Sequence, residues 1–140
     1  MRERAPFWCM MAAGMHGRIL IVEDEENISE LLAFAFRRAG FEPTVVADGR
    51  AAVEHVLTHE PPDAVVLDLM LPCRDGYAVA SAIRTDERWR AVPILVLSAR
   101  AAEAEVERAR AAGANGYLSK PFSPRAVVER VVAFVGQGVA

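Results

Sequence analysis

The chain has 140 residues, of which 53% are hydrophobic and 25% charged, and its formal net charge is −3. That length fits one domain, and the composition argues against a largely disordered chain and, more weakly, against a basic nucleic-acid-binding surface. No apolar run approaches the roughly 20 residues that span a bilayer. Two cysteines, Cys9 and Cys73, make neither a disulfide framework nor a metal pattern, so the expected setting is the cytoplasm, without membrane contact.

Residues 1–16 show no period and read as a flexible N-terminal extension. The apolar stretch Phe7 to Ala13 is short for a signal peptide and lacks a small-x-small cleavage site, and Met10, Met11 and Met15 are alternative starts. Arg18 to Val22 is the first strand. Helix one runs from about Glu25 to Ala39, with Ile28, Leu31, Leu32 and Ala35 at helical spacing, Phe34 and Phe36 widening the stripe, and Gly40 ending it. Pro43 to Ala47 is a second strand near an edge, because proline opens it. Asp48 is the N-cap of a helix reaching Thr58, with Val53, Val56 and Leu57 facing in.

Pro61-Pro62 introduces Asp63-Ala64-Val65-Val66-Leu67-Asp68, a buried strand ending in a carboxylate. Tyr77 to Arg84 is a third helix, with Val79, Ala80 and Ile83 inside. A polar connection from Thr85 to Val92 carries Trp89, read as part of a solvated loop. Pro93 to Leu97 is the fourth strand. Ala99 to Ala112 is an Ala-, Glu- and Arg-rich helix whose one large apolar anchor is Val106, so it should be held loosely. Gly116 to Ser119 is a short fifth strand. Ser123-Pro124 then starts helix five, with Val128, Val131, Val132 and Val135 inside and Gly136 and Gly138 at its end. The alternation βαβαβαβαβα specifies an α/β fold: a doubly wound, five-stranded parallel sheet with helices on both faces.

The strand ends carry the chemistry. Glu23-Asp24 follows strand one, Asp68 ends strand three, Ser98 follows strand four, and Lys120 follows strand five. In the strand order 2-1-3-4-5, strands one and three are neighbours at the switch point where such sheets bind ligands. Three carboxylates there repel one another unless a hard cation such as Mg²⁺ joins them. Lys120 adds a mobile positive charge, Ser98 a hydroxyl donor, and Asp68 a candidate nucleophile that could form an aspartyl phosphate. Each residue alone reads more simply as a helix cap or a solvated side chain. Their occurrence at four successive strand ends favours a site.

On these residues the chain resembles the receiver domain of bacterial two-component response regulators. The matching stretches are Ile19 to Glu25, Val66 to Pro72 with Asp75-Gly76, Leu97 to Arg100, and Gly113-Ala114 through Tyr117 to Phe122, spread over about residues 17–135. The resemblance implies that Asp68 accepts a phosphoryl group. Glu23, Asp24, Asp68 and the Met70 backbone carbonyl would hold Mg²⁺, Asp24 directly and Glu23 through water. Ser98 and Lys120 would contact the phosphoryl group, with the Lys120–Pro121 bond cis, and Tyr117 would be the aromatic switch beside Ser98. Ala99 corresponds to a position kept small for the phosphodonor. Partners would be a histidine kinase or histidine phosphotransfer protein upstream and an effector downstream, with no direct nucleic-acid contact. The helix-four, strand-five and helix-five surface would carry the output.

The expected extents are 17–136 for the receiver and 137–140 for a tail, followed by no linker; the receiver either works alone or has been separated from an effector. Its fifth strand is similar to that of receivers in the winged-helix transcription-factor subfamily. Asn115 and Gly116 replace the acids those receivers commonly place before the tyrosine, while Arg130 remains, so the expected state is a monomer or a weak, phosphorylation-dependent dimer. Cys73 reads as a tolerated small residue, and His16, His55 and His59 as scattered surface residues. An aspartate-nucleophile phosphatase is disfavoured because Met70 stands where its general acid belongs. A nucleotide binder is disfavoured because the loop after strand one lacks a glycine-rich cradle. The remaining alternative is a phosphorylation-independent adaptor, which the intact acid, serine and lysine set argues against.

Overall fold

The computed structural model describes residues 17–71, 75–99 and 102–138. The expectations for residues 1–16, Cys73 and Arg100 lie outside them. The elements are β1 (Gly17–Val22), α1 (Glu26–Arg38), β2 (Phe41–Val46), α2 (Gly49–Thr58), β3 (Ala64–Asp68), α3 (Gly76–Thr85), β4 (Ile94–Ser98), α4 (Glu103–Ala111), β5 (Gly116–Ser119) and α5 (Pro124–Gly138). All strand pairs are parallel, in the order β2-β1-β3-β4-β5.

The apolar strands β1, β3 and β4 are buried on both faces, as a parallel sheet covered by helices requires. Alternation divides their side chains between two cores. Ile19, Ile21, Val66, Leu95 and Leu97 pack with Leu32 and Phe36 of α1 and with Val127, Val128 and Val131 of α5. Leu20, Val22, Val65, Leu67 and Val96 pack with Val56 of α2 and with Val79 and Ile83 of α3. Burying each such side chain contributes about 1.5–3 kcal/mol before entropy is counted. The register sets Val22 against Leu67, Asp68 against Leu97 and Ser98 against Ser119, so the strand ends share one edge.

The termini follow local chemistry. Asp48 and Asp75 accept hydrogen bonds from Ala51 N and Ala78 N, at 2.7 and 3.0 Å, and Ser123 Oγ accepts from Ala126 N at 3.0 Å. Gly40 and Gly113 adopt φ of 93° and 113° just beyond α1 and α4, where a side chain would be strained.

Several expectations need correction. Trp89 is fully buried: its indole N–H donates to His59 O at 3.1 Å, under a loop whose Arg88 reaches Val56 O and His59 O. His55 is half-buried, stacked on His59 at 3.8 Å and edge-on to Trp89. Leu31, Phe34 and Leu57 point outward, because packing rotates α1 onto Ser29, Leu32, Ala33 and Phe36, and α2 onto Ala52 and Val56. α4 begins at Glu103 rather than Ala99, with Ala102 before it offering no side-chain cap. β2 begins at Phe41, and Pro43 lies within it, where an edge strand tolerates proline. No helix among the described residues is long and apolar enough to cross a membrane.

Candidate functional site

The carboxyl edge of the sheet brings the predicted residues together. Buried β3 delivers Asp68, 2% exposed, and β1 runs directly into Glu23, also 2% exposed, while Asp24 lies at the surface. One carboxylate oxygen from each lies within 4.8 Å of those from the others. Lys120 Nζ stands 3.2 Å from Asp68 Oδ2 and 3.8 Å from Glu23 Oε1. The lysine is fixed from its backbone: Lys120 N donates to Ser98 O at 2.7 Å, and the Lys120–Pro121 peptide is cis. Ser98 is buried at the end of β4, and Tyr117 is half-buried two residues before Ser119.

The two buried acids are held differently. Asp68 Oδ1 accepts from Met70 N at 3.0 Å, while Oδ2 accepts from Lys120. Glu23 Oε2 accepts from Glu25 N at 3.0 Å, but Oε1 has no hydrogen-bond partner, since the lysine at 3.8 Å supplies charge from beyond hydrogen-bond reach. Burial, aided by the Asp68 carboxylate, pushes the Glu23 carboxyl up to about 7, against the Glu25 amide and Lys120. Burial works against the Lys120 ammonium, yet Asp68 and Glu23 hold it above its ordinary value.

An excess of hard oxygen donors around one ammonium, with a buried carboxylate oxygen unsatisfied, fits a small divalent cation. Glu23, Asp24 and Asp68 could hold it.

Two polar links escaped the sequence reading. Tyr77 OH donates to Glu105 Oε1 at 2.7 Å, while the Arg108 guanidinium lies 3.9 Å above the Tyr77 ring centre, tying α4 to α3. Arg84 donates to Gly113 O, Val92 O, Arg90 O and Asn115 Oδ1, closing the far end of the sheet. Their partners lie up to 31 residues apart, so no local pattern announces them.

A doubly wound sheet with an acid cluster and a lysine at its carboxyl edge defines a receiver-like fold. The family model of the response regulator receiver domain matches residues 19–132, and the chain belongs to that family. It is 40% identical over 121 residues to the alkaline phosphatase synthesis transcriptional regulatory protein PhoP of Bacillus subtilis, covering 86% of this chain and 49% of that protein. It is 38% identical over 120 residues to the phosphate regulon transcriptional regulatory protein PhoB of Escherichia coli, covering 85% and 52%. The chain thus spans about half the length of the curated relatives it matches. Among solved structures, it resembles the receiver domain of a Pseudomonas aeruginosa sensor histidine kinase, described with a magnesium ion coordinated in its active site cleft. That match has a TM-score of 0.79 and 35% identity over 86% of this chain and 98% of the other. The chemotaxis response regulator CheY4 of Vibrio cholerae matches with a TM-score of 0.76 and 26% identity over 89% and 99%.

Proposed function

We propose that residues 17–136 form a phosphoacceptor switch of a two-component pathway and that Asp68 carries the phosphoryl group. The observation carrying this reading is the Asp68 carboxylate itself, buried beside Glu23 with Lys120 at 3.2 Å. The donor is a phosphohistidine on a histidine kinase or histidine phosphotransfer protein. Asp68 attacks phosphorus in line: the imidazole nitrogen–phosphorus bond breaks as the carboxylate oxygen–phosphorus bond forms, and the imidazole keeps the electron pair. The Met70 amide holds Oδ1, which fixes the rotation of the carboxylate. Lys120 stays with the transferred group and balances its charge.

Glu23, Asp24, Asp68 and the Met70 carbonyl would hold Mg²⁺, which would supply charge that neutralises the transferred group. The Ser98 hydroxyl donates to the phosphoryl group, and Tyr117 turns inward beside it. Those contacts shift the balance between two packings of the α4–β5–α5 surface, which a downstream effector reads. Because α4 buries only Ala109, little apolar burial opposes its movement.

The donor protein docks beside the site. An apolar groove of about 420 Å³, lined by Ile28, Leu31, Phe122 and Pro124, leads to Lys120.

The test is intact mass after incubation with Mg²⁺ and acetyl phosphate, with Asp68→Asn alongside. One added phosphoryl group is expected, dependent on Mg²⁺ and absent from the variant. Labelling that survives Asp68→Asn would move the acceptor elsewhere. Failure to form either this adduct or a beryllofluoride complex would sink the reading.

A further inference from the structure

The stacked pair His55 and His59 has no part in the chemistry at Asp68. It stands at the end of α2, which returns the chain from the carboxyl edge of the sheet, so it lies at the opposite edge. A cleft of about 380 Å³ opens there, with Arg18, Thr44, His55, His59 and Glu60 among its walls. The two imidazoles are parallel to within 6°, with their centres 3.8 Å apart, and His55 also meets Trp89 edge-on at 6.0 Å.

Hydrogen bonding fixes which nitrogen of His59 is free. Thr58 Oγ1 lies 2.8 Å from Glu54 O and 2.9 Å from His59 Nδ1. A carbonyl oxygen only accepts and a hydroxyl has one proton, so that proton goes to Glu54 O. His59 Nδ1 therefore carries the proton of the second bond and donates it to Oγ1, and Nε2 keeps its lone pair. A histidine that binds a metal is held in this way: one ring nitrogen donates to an oxygen, which sets the tautomer, and the other coordinates.

Four-residue spacing brings the two side chains to one face, where a pair of imidazoles can share an ion. Parallel rings aim their lone pairs side by side, so sharing requires one ring to turn. The His55 ring makes no hydrogen bond among the described residues, so only its ring contacts resist that turn. Arg18 and Arg88 bring positive charge nearby, but their guanidinium groups are engaged with Pro61 O and with Val56 O and His59 O, and Glu60 offsets them from the cleft wall. Imidazole suits Zn²⁺, Cu²⁺ and Ni²⁺, whereas Mg²⁺ takes oxygen donors. The two edges of the sheet thus select different ions.

We propose that His55 and His59 form a second cation site, which takes a borderline divalent ion such as Zn²⁺ through His59 Nε2 and a ring nitrogen of His55, with water completing the shell. Binding turns His55 out of the stack and off the edge of the Trp89 indole. The site does not depend on phosphorylation of Asp68.

The experiment titrates the isotope-labelled chain with Zn²⁺ and follows the histidine ring nitrogens and the Trp89 indole N–H by NMR, with calorimetry for affinity. Excess Mg²⁺ is present throughout, to compete for the carboxylates at the other edge. Both histidine rings and the Trp89 indole should shift together and saturate at one ion per chain. His55→Gln and His59→Gln should each weaken binding by about tenfold or more, and Thr58→Val, which frees the His59 tautomer, by about tenfold. The rest of the spectrum shows that each variant is folded, and His59 is exposed enough for its replacement to be tolerated. An unaltered affinity in either histidine variant would overturn the proposal. So would Zn²⁺ that shifts Cys9, Cys73, His16 or the Asp68 edge and leaves the His55 ring and the Trp89 indole unmoved.

Discussion

Trp89 shows how much of this fold hangs on single side chains outside the site. Its indole fills the core beneath α2 and α3, and its N–H closes on His59 O. Trp89→Ala leaves a cavity and deletes the indole bond to His59 O, which Arg88 still serves, so it should cost about 3–5 kcal/mol, read as a lower urea midpoint. A cost below about 1 kcal/mol, the range of surface changes, would mean the indole anchors nothing. His55 lies edge-on to that indole and stacked on His59. Burial, with His59 beside it, lowers the His55 value below its usual 6.5. The unfolded chain then takes up the proton more readily than the folded one, so His55's contribution is complete above about pH 6.5 and is lost as pH falls through the lower folded value. Glu23 works the other way in the metal-free chain: its folded value near 7 exceeds its ordinary 4.5, so folding gains as pH falls from 7 toward 4.5. Comparison with His55→Phe in the same buffers cancels the Glu23 contribution. The variant should lose less stability than the parent between pH 7.5 and 5.5, and identical slopes would show that His55 does not titrate differently on folding.

Among the elements, α4 is the one fastened by polar contacts more than by burial. Only Ala109 is buried, and the helix meets α3 through Tyr77 and Glu105, with Arg108 over the ring. Burial and the Glu105 carboxylate push the Tyr77 phenol up to about 12, so it keeps its proton for that bond at neutral pH. Tyr77→Phe keeps the ring under Arg108 and deletes the hydrogen bond. Amide exchange over residues 103–111 should quicken by about tenfold, the effect of losing a charge-assisted bond, while α3 stays protected. Unchanged exchange would show that apolar contacts alone hold the helix. This tie was invisible in the sequence because it joins residues 28 apart. The strands were legible because a fully buried strand has to be a short apolar run, and parallel strands fix which ends meet. That is why Glu23, Asp24, Asp68 and Lys120 could be grouped before any coordinates. Helix rotation was less legible. α1 carries apolar residues around most of its surface, so the choice of Leu32 and Phe36 over Leu31 and Phe34 was made by packing on the sheet. The start of α4 was misplaced because an alanine-rich run has high propensity and no capping signal.

At the scale of the whole molecule, the proposed input and output surfaces fall on different sides of the sheet. The α4–β5–α5 face carries Arg110 and Arg130 beside Tyr117, while α1 and the start of α5 present an apolar groove. Leu31 and Phe34 are 56% and 58% exposed, unusual for large apolar side chains with a hydrophobic core available one turn away. They line a groove of about 670 Å³ with Pro124 and Val128, continuous through Leu31 and Pro124 with the smaller groove that reaches Lys120. A donor protein seated there would bring its phosphohistidine to Asp68, whereas a small donor such as acetyl phosphate needs no docking surface. Leu31→Glu and Phe34→Glu therefore separate docking from chemistry. Both positions are exposed, so folding should survive the substitutions. Transfer from a cognate phosphohistidine protein should fall by about tenfold or more, the effect of losing an apolar anchor at an interface, while labelling by acetyl phosphate and Mg²⁺ stays unchanged. An equal fall with both donors would place the damage at Asp68 instead of the docking face. No fall with either would move the donor's footprint away from α1, and the exposure of Leu31 and Phe34 would then need another partner.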